Sequence, residues 1–87
     1  MRAVEEMMSC QISFCPLGST DISGDVNRVL EVIRSSGLDH QVGVFSTVVR
    51  GEKDRVFSLA REIYEAMEKN FGFVMDIKFS NLCGCPR

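Results

Sequence analysis

No stretch of this 87-residue sequence is apolar over anything near the roughly 20 residues that a membrane-spanning helix needs. Membrane insertion is therefore not expected. The opening residues Met1-Arg2-Ala3-Val4-Glu5-Glu6 are acidic and lack the apolar core of a secretory signal. The expectation is a cytoplasmic protein whose four cysteines stay reduced. An excess of positive charge is also missing. Ten Lys+Arg stand against twelve Asp+Glu, a formal charge of −2. That argues against a nucleic-acid partner, whose phosphates would call for many cationic contacts. Neither G-x-G-x-x-G nor a Walker sequence occurs, so no phosphate-cradling loop is legible. Histidine occurs once, as His40 at a loop-to-strand junction, and reads as a solvated residue. No serine or cysteine has a base at motif spacing, and no acid–base pair stands out. Catalysis is not expected, and neither is a resident cofactor.

What is present is ordinary globular composition, 45% hydrophobic and 25% charged. This length suits one compact domain, residues 1–87, with 81–87 as a cysteine-containing tail. Residues 8–15 alternate, with Met8, Cys10, Ile12 and Phe14 on one side and Ser9, Gln11, Ser13 and Cys15 on the other. This is the period-two pattern of a half-buried strand, ended by Pro16 and Gly18. Asp21 or Ser23 can cap a helix to about Ser36, with Val26, Val29, Leu30 and Ile33 as its apolar face and Gly37 after it. Residues 41–45 and 47–51 are rich in β-branched side chains and predict a hairpin turning near Ser46. A second helix spans about Lys53 to Asn70, with Val56, Phe57, Ala60, Ile63, Tyr64 and Met67 as its buried stripe. Residues 73–80 alternate again, with Phe73, Met75, Ile77 and Phe79 opposed to Val74, Asp76, Lys78 and Ser80. The order βαββαβ at this length predicts an α+β, ferredoxin-like sandwich: a four-stranded antiparallel sheet with two helices on one face. Its other face would be uncovered, with the polar rows of the first and last strands side by side.

Few residues suggest chemistry. Cys83-Gly84-Cys85 is tighter than the usual C-x₂-C zinc knuckle, and with Cys10 it makes a three-thiolate site conceivable. The plainer reading has Cys10 filling the core and the tail thiols exposed. Thr47 and Arg50 flank a strand just after a tight turn, where a hydroxyl and a guanidinium can address a ligand. Equally they read as a turn residue and a surface cation, and spacing alone favours the plainer view. Asp76, the only carboxylate in the predicted strands, is either half of a cross-strand pair or a counter-charge for a cationic ligand.

Taken together, residues 10–17 (Cys-Gln-Ile-Ser-Phe-Cys-Pro-Leu), Ser46-Thr47-Val48-Val49-Arg50-Gly51, Val74-Met75 and Phe79-Ser80 with a following cysteine resemble the YkoF-like thiamine/hydroxymethylpyrimidine-binding family. Asp54-Arg55-Val56-Phe57 and Ile63-Tyr64 fit as well. The likeness runs from about residue 9 to 83, and Ser46–Gly51 is its most specific piece. It implies a ferredoxin-like domain that binds thiamine or its pyrimidine precursor without transforming it. It also implies a single repeat that associates through its sheet as a homodimer or homotetramer. By the resemblance Thr47 contacts the ligand and Phe14 lines the same pocket; Ser46, Arg50, Asp76 and Ser80 join them by position. Two departures stand out: Cys15 where the family often has an aromatic residue, and the paired tail thiols. The readings are thus a small-molecule binder in vitamin uptake, salvage or buffering, a regulatory or protein-interaction module using the same sheet face, and a cysteine metal site.

Overall fold

A computed structural model describes residues 7–82 of the chain. The elements are β1 (Met7–Pro16), α1 (Ile22–Ser35), β2 (Asp39–Val42), β3 (Thr47–Glu52), α2 (Lys53–Met67) and β4 (Phe73–Ser80). Every strand pairing is antiparallel and the sheet order is β2-β3-β1-β4. Both helices pack against each other and on one face of the sheet, which is the expected ferredoxin-like α+β arrangement. Among the described residues no helix is long and apolar enough to cross a membrane.

Alternation along β1 sets the two faces. Met8, Cys10 and Ile12 are buried under the helices, and Phe14 packs on the rim of the same core. They meet Val49 from β3, Val29 and Ile33 from α1, and Val56, Leu59 and Ile63 from α2. Ser9, Gln11, Ser13 and Cys15 stand on the opposite, open face, because successive strand side chains point to opposite sides. Asp21 caps α1, its carboxylate accepting the Gly24 N–H at 3.0 Å, so Ser23 does not take that role. Gly37 follows α1 with φ +73°, the left-handed conformation that releases a chain from a helix at no steric cost to glycine.

The structure departs from the sequence expectations in β2 and in α2, and adds a buried carboxylate in α1. β2 lies at residues 39–42 rather than 41–45, because Val42 pairs with Thr47 and leaves 43–46 as the connection. Val44 and Phe45, β-prone by type, therefore sit at the hairpin tip, 93% and 91% exposed. The same shift brings Asp39 into β2, and Glu52 ends β3, so Asp76 is not the only strand carboxylate. In α2 the buried stripe is Val56, Leu59, Ile63 and Met67, and the helix stops at Met67 rather than near Asn70. Phe57 and Tyr64 are half exposed and reach sideways to β4, with ring centroids 4.6 Å from Phe79 and 5.3 Å from Phe73. Finally, Asp25 in the first turn of α1 is buried, accepting from the Ser19 hydroxyl and, at 3.3 Å, from Arg28. Those partners satisfy a carboxylate that burial would otherwise penalise, and they tie the β1–α1 loop to the helix.

Because Leu59 is 1% exposed and surrounded by core, Leu59→Ala is expected to cost about 2–5 kcal/mol of stability, the range for emptying a packed aliphatic site. Phe57→Ala should cost clearly less, since half of its ring already faces water. Urea denaturation of the two variants checks the ranking.

Candidate functional site

The β2–β3 connection divides two concavities. On the helix side, a cavity of about 170 Å³ lies between α1 and the ends of β1 and β3. Its floor and walls are apolar (Ile12, Val29, Leu30 and Ile33), and Phe14, Ser46 and Thr47 also line it. On the open face, a more open depression of about 460 Å³ is lined by Gln11, Ser13, Phe45, Ser46, Asp76 and Lys78, among others. Phe45 and Ser46 border both.

Sheet parity explains the split. Thr47 is opposite Ile12 and points to the helices with it, and is 7% exposed. Its side chain has no hydrogen-bond partner among the described residues, yet its hydroxyl is not sealed from solvent. It is an unpartnered hydroxyl in a mostly apolar cavity. Phe14 sits beside it on the same face, held against Phe73 and Phe71 with ring centroids 4.9 and 6.3 Å away. Those edge and tilted contacts fix the ring without covering it, since aromatic pairs favour offset or T-shaped geometry.

The tip is held in place from the open face of β1. Gln11 donates from Nε2 to the Ser46 hydroxyl at 2.9 Å, and Ser13 donates to the Phe45 carbonyl at 3.1 Å. The Gly43 N–H closes the hairpin on the Ser46 carbonyl at 2.8 Å. Gln11 and Ser13 thus position residues that border the cavity, a role of which their strand periodicity gives no sign.

Of the residues singled out from the sequence, the structure brings Phe14, Ser46 and Thr47 together at the helix-side cavity. Asp76 lines the open-face depression with Ser46. Arg50 and Ser80 line neither. Arg50 lies on the open face opposite Ser9 and pairs with Asp39 at 3.5 Å, so it does not address the same space as Thr47. The Ser80 hydroxyl accepts the Leu82 N–H at 3.0 Å, while Ser9 donates to the Leu82 carbonyl at 2.7 Å. These two serines fasten the chain leaving β4 across the open face. Cys10 is 2% exposed in the core, and burial raises its thiol pKa because the thiolate would lose its hydration. That placement removes Cys10 from a thiolate site at the surface; Cys83 and Cys85 lie outside the described residues. His40 is half-buried in β2, its Nδ1 3.0 Å from the Leu38 carbonyl.

Residues 10–79 match the model of a family described as thiamine-binding protein. The chain belongs to that family. It is a family named for binding rather than for a reaction. Among solved structures, a candidate thiamine biosynthesis/salvage protein from Thermotoga maritima is similar at a TM-score of 0.78 and 22% identity, over 85% of this chain and 82% of that one. A domain of unknown function from Bacillus cereus gives 0.78 and 22%, over 91% and 79%. A Streptococcus pneumoniae protein gives 0.80 and 20%, over 85% and 84%. At these identities the three share the fold. No curated protein matches the chain.

The burial of Cys10 and the exposure of Cys15 predict a graded thiol chemistry. In the folded protein Cys15 should be alkylated by iodoacetamide while Cys10 is protected, and Cys10 should react only on unfolding. Peptide mass mapping at neutral pH reads this directly, and fast native labelling of Cys10 would contradict the burial.

Proposed function

We propose that this protein binds thiamine or its hydroxymethylpyrimidine precursor, without transforming it, in the helix-side cavity beside the β2–β3 turn. The observation that carries this reading is Thr47: an unpartnered hydroxyl in an apolar cavity, next to a fixed aromatic ring. An aminopyrimidine matches such a site, since it offers ring-nitrogen acceptors, an amino donor and a flat π face. Family membership supports the choice of ligand class. The size of the cavity favours one ring over two. About 170 Å³ is well below the roughly 300–1,000 Å³ of pockets that enclose drug-sized ligands. In this reading the pyrimidine enters and any thiazolium remains outside, near the exposed tip residues Val44 and Phe45.

Thr47 then hydrogen-bonds the ring, Phe14 packs on it, and Ser46 lies at the mouth, held by Gln11. Asp76 stands on the other face of the sheet, and Arg50 and Ser80 serve local structure rather than the ligand. A binder of this kind serves vitamin uptake, salvage or buffering. Association through the sheet belongs to the same reading.

Calorimetric titration with thiamine and, separately, with hydroxymethylpyrimidine tests the proposal. Saturable heat with both, at similar affinity, is the expected result for a one-ring pocket. No heat and no thermal shift with either would leave an interaction module as the better account, because a ligand that binds the folded state must stabilise it. Thr47→Val keeps the side-chain shape and removes the hydroxyl. It should weaken binding by about 1–3 kcal/mol, the cost of leaving a ligand polar group unpaired. Unchanged affinity in a folded Thr47→Val protein would take Thr47 out of the site.

A further inference from the structure

The helix-side cavity is lined without a charge. Its walls come from β1, α1 and the stretch from Val42 to Thr47, and every lining residue is apolar, glycine or hydroxyl-bearing. Charged residues do occur on the surrounding elements, but their partners lie elsewhere. On α1, Asp25 takes Arg28 at 3.3 Å and Glu31 takes Arg34 at 3.8 Å. On β2 and β3, Asp39 pairs with Arg50 at 3.5 Å, and the His40 ring meets the Leu38 carbonyl. Glu52 ends β3 far from the cavity, opposite Met7. The titratable side chains of β1 are two thiols, Cys10 in the core and Cys15 on the open face. Of the residues lining either concavity, the single cation is Lys78 and the single anion Asp76. Both stand on the open face, opposite Gln11 and Ser13, with the sheet between them and the cavity.

A charge carried into this space would lose its hydration and meet no counter-charge, which makes its burial unfavourable. We infer that the site accepts the pyrimidine only as an uncharged molecule: the free alcohol with its ring unprotonated, and neither its phosphomonoester nor the ring-protonated cation. This rests on the ligand reading above and adds which form of the ligand is held. Hydroxyl groups are the polar complement of a neutral ring, since each can both donate and accept, and Thr47 supplies one inside the cavity. A phosphate on the hydroxymethyl oxygen would bring full negative charge to the rim, where Val42, Val44 and Phe45 are apolar and more than half exposed. Thiamine meets the same condition, because its fixed positive charge belongs to the second ring, which stays in water.

Calorimetric titration of the full chain with hydroxymethylpyrimidine and with its phosphomonoester, at neutral and at mildly acidic pH, tests this. The alcohol should bind at neutral pH, and the phosphomonoester at least about tenfold more weakly. Below the pKa of the free ring, affinity for the alcohol should fall by about tenfold per pH unit, because the ring must lose its proton before it binds. Val42→Lys sets an ammonium at an exposed position of the rim and should narrow the gap between the two ligands by about tenfold. Equal or tighter binding of the phosphomonoester to the wild-type protein would overturn the inference and leave the ligand reading standing. So would an affinity for the alcohol that is unchanged in acid, or a gap that Val42→Lys does not move. No heat with the alcohol at neutral pH would overturn the ligand reading and this inference with it. Circular dichroism at both pH values confirms that the protein and its variant are folded.

Discussion

The molecule depends on β1 being hydrogen-bonded along both edges. Among the described residues it is the only strand that pairs with two partners over six or more residues, β3 on one side and β4 on the other. Its backbone groups are thereby satisfied by the sheet, which lets its side chains do two separate things. One row, Met8, Cys10 and Ile12, becomes the floor of the core. The other row stays polar and ties down what is irregular: Ser9 holds Leu82, Gln11 holds Ser46, and Ser13 holds Phe45. A one-residue slip of β1 would exchange these rows, burying serines and exposing the core. The hydrophobic contrast between the rows therefore sets the register of the strand, and with it the position of the β2–β3 tip.

That tip is where fold and site meet. Its backbone is anchored from the open face, while Thr47, one residue beyond, faces the helices. Ser46 and Thr47 are neighbours in sequence and belong to different faces of the sheet, so a cavity bordered by both must lie at the margin where the faces meet. Phe14 comes to the same margin from β1. Phe14 from β1, Thr47 from β3 and Ser46 from the connection converge there because the Ile12–Thr47 pair ends the β1–β3 ladder, leaving a gap between the strand ends and α1 that no described side chain fills.

Most of this architecture is legible in the sequence, and the departures have physical causes. The alternation in β1 and β4, the Asp21 cap and Gly37 all express local rules that the tertiary structure leaves intact. Val44 and Phe45 read as strand because β-branched and aromatic residues favour strands, but the Val42–Thr47 pairing turns the chain before it reaches them. In α2 the aromatic residues widen the apparent stripe. Leu59, at four-residue spacing from Ile63, is the true core residue, and Phe57 and Tyr64 lean out to the edge of β4. The pairing of Thr47 with Arg50 fails on parity alone: side chains three residues apart along a strand lie on opposite faces. Counting along the strand is enough to separate them. The buried Asp25 does not announce itself, since a carboxylate in the first turn of a helix is ordinarily a solvated response to the helix dipole. Only the Ser19 hydroxyl reaching back from the loop marks it as interior.

The two sheet edges put opposite demands on the same sheet, one being an eight-residue strand with an unblunted outer side and the other a four-residue strand that ends in a turn. The short edge leaves the β2–β3 connection free to border a cavity, and pairing there would be limited to a few residues. The long edge lies one strand, β1, away from the cavity that β1 and β3 themselves line. Aromatic contacts from α2 brace that edge from behind, with Phe57 on Phe79 and Tyr64 on Phe73, so the strand arrives at its outer side already ordered. The exposed aromatics of α2, which look misplaced when the helix is judged by its core face alone, are then accounted for by the strand they support.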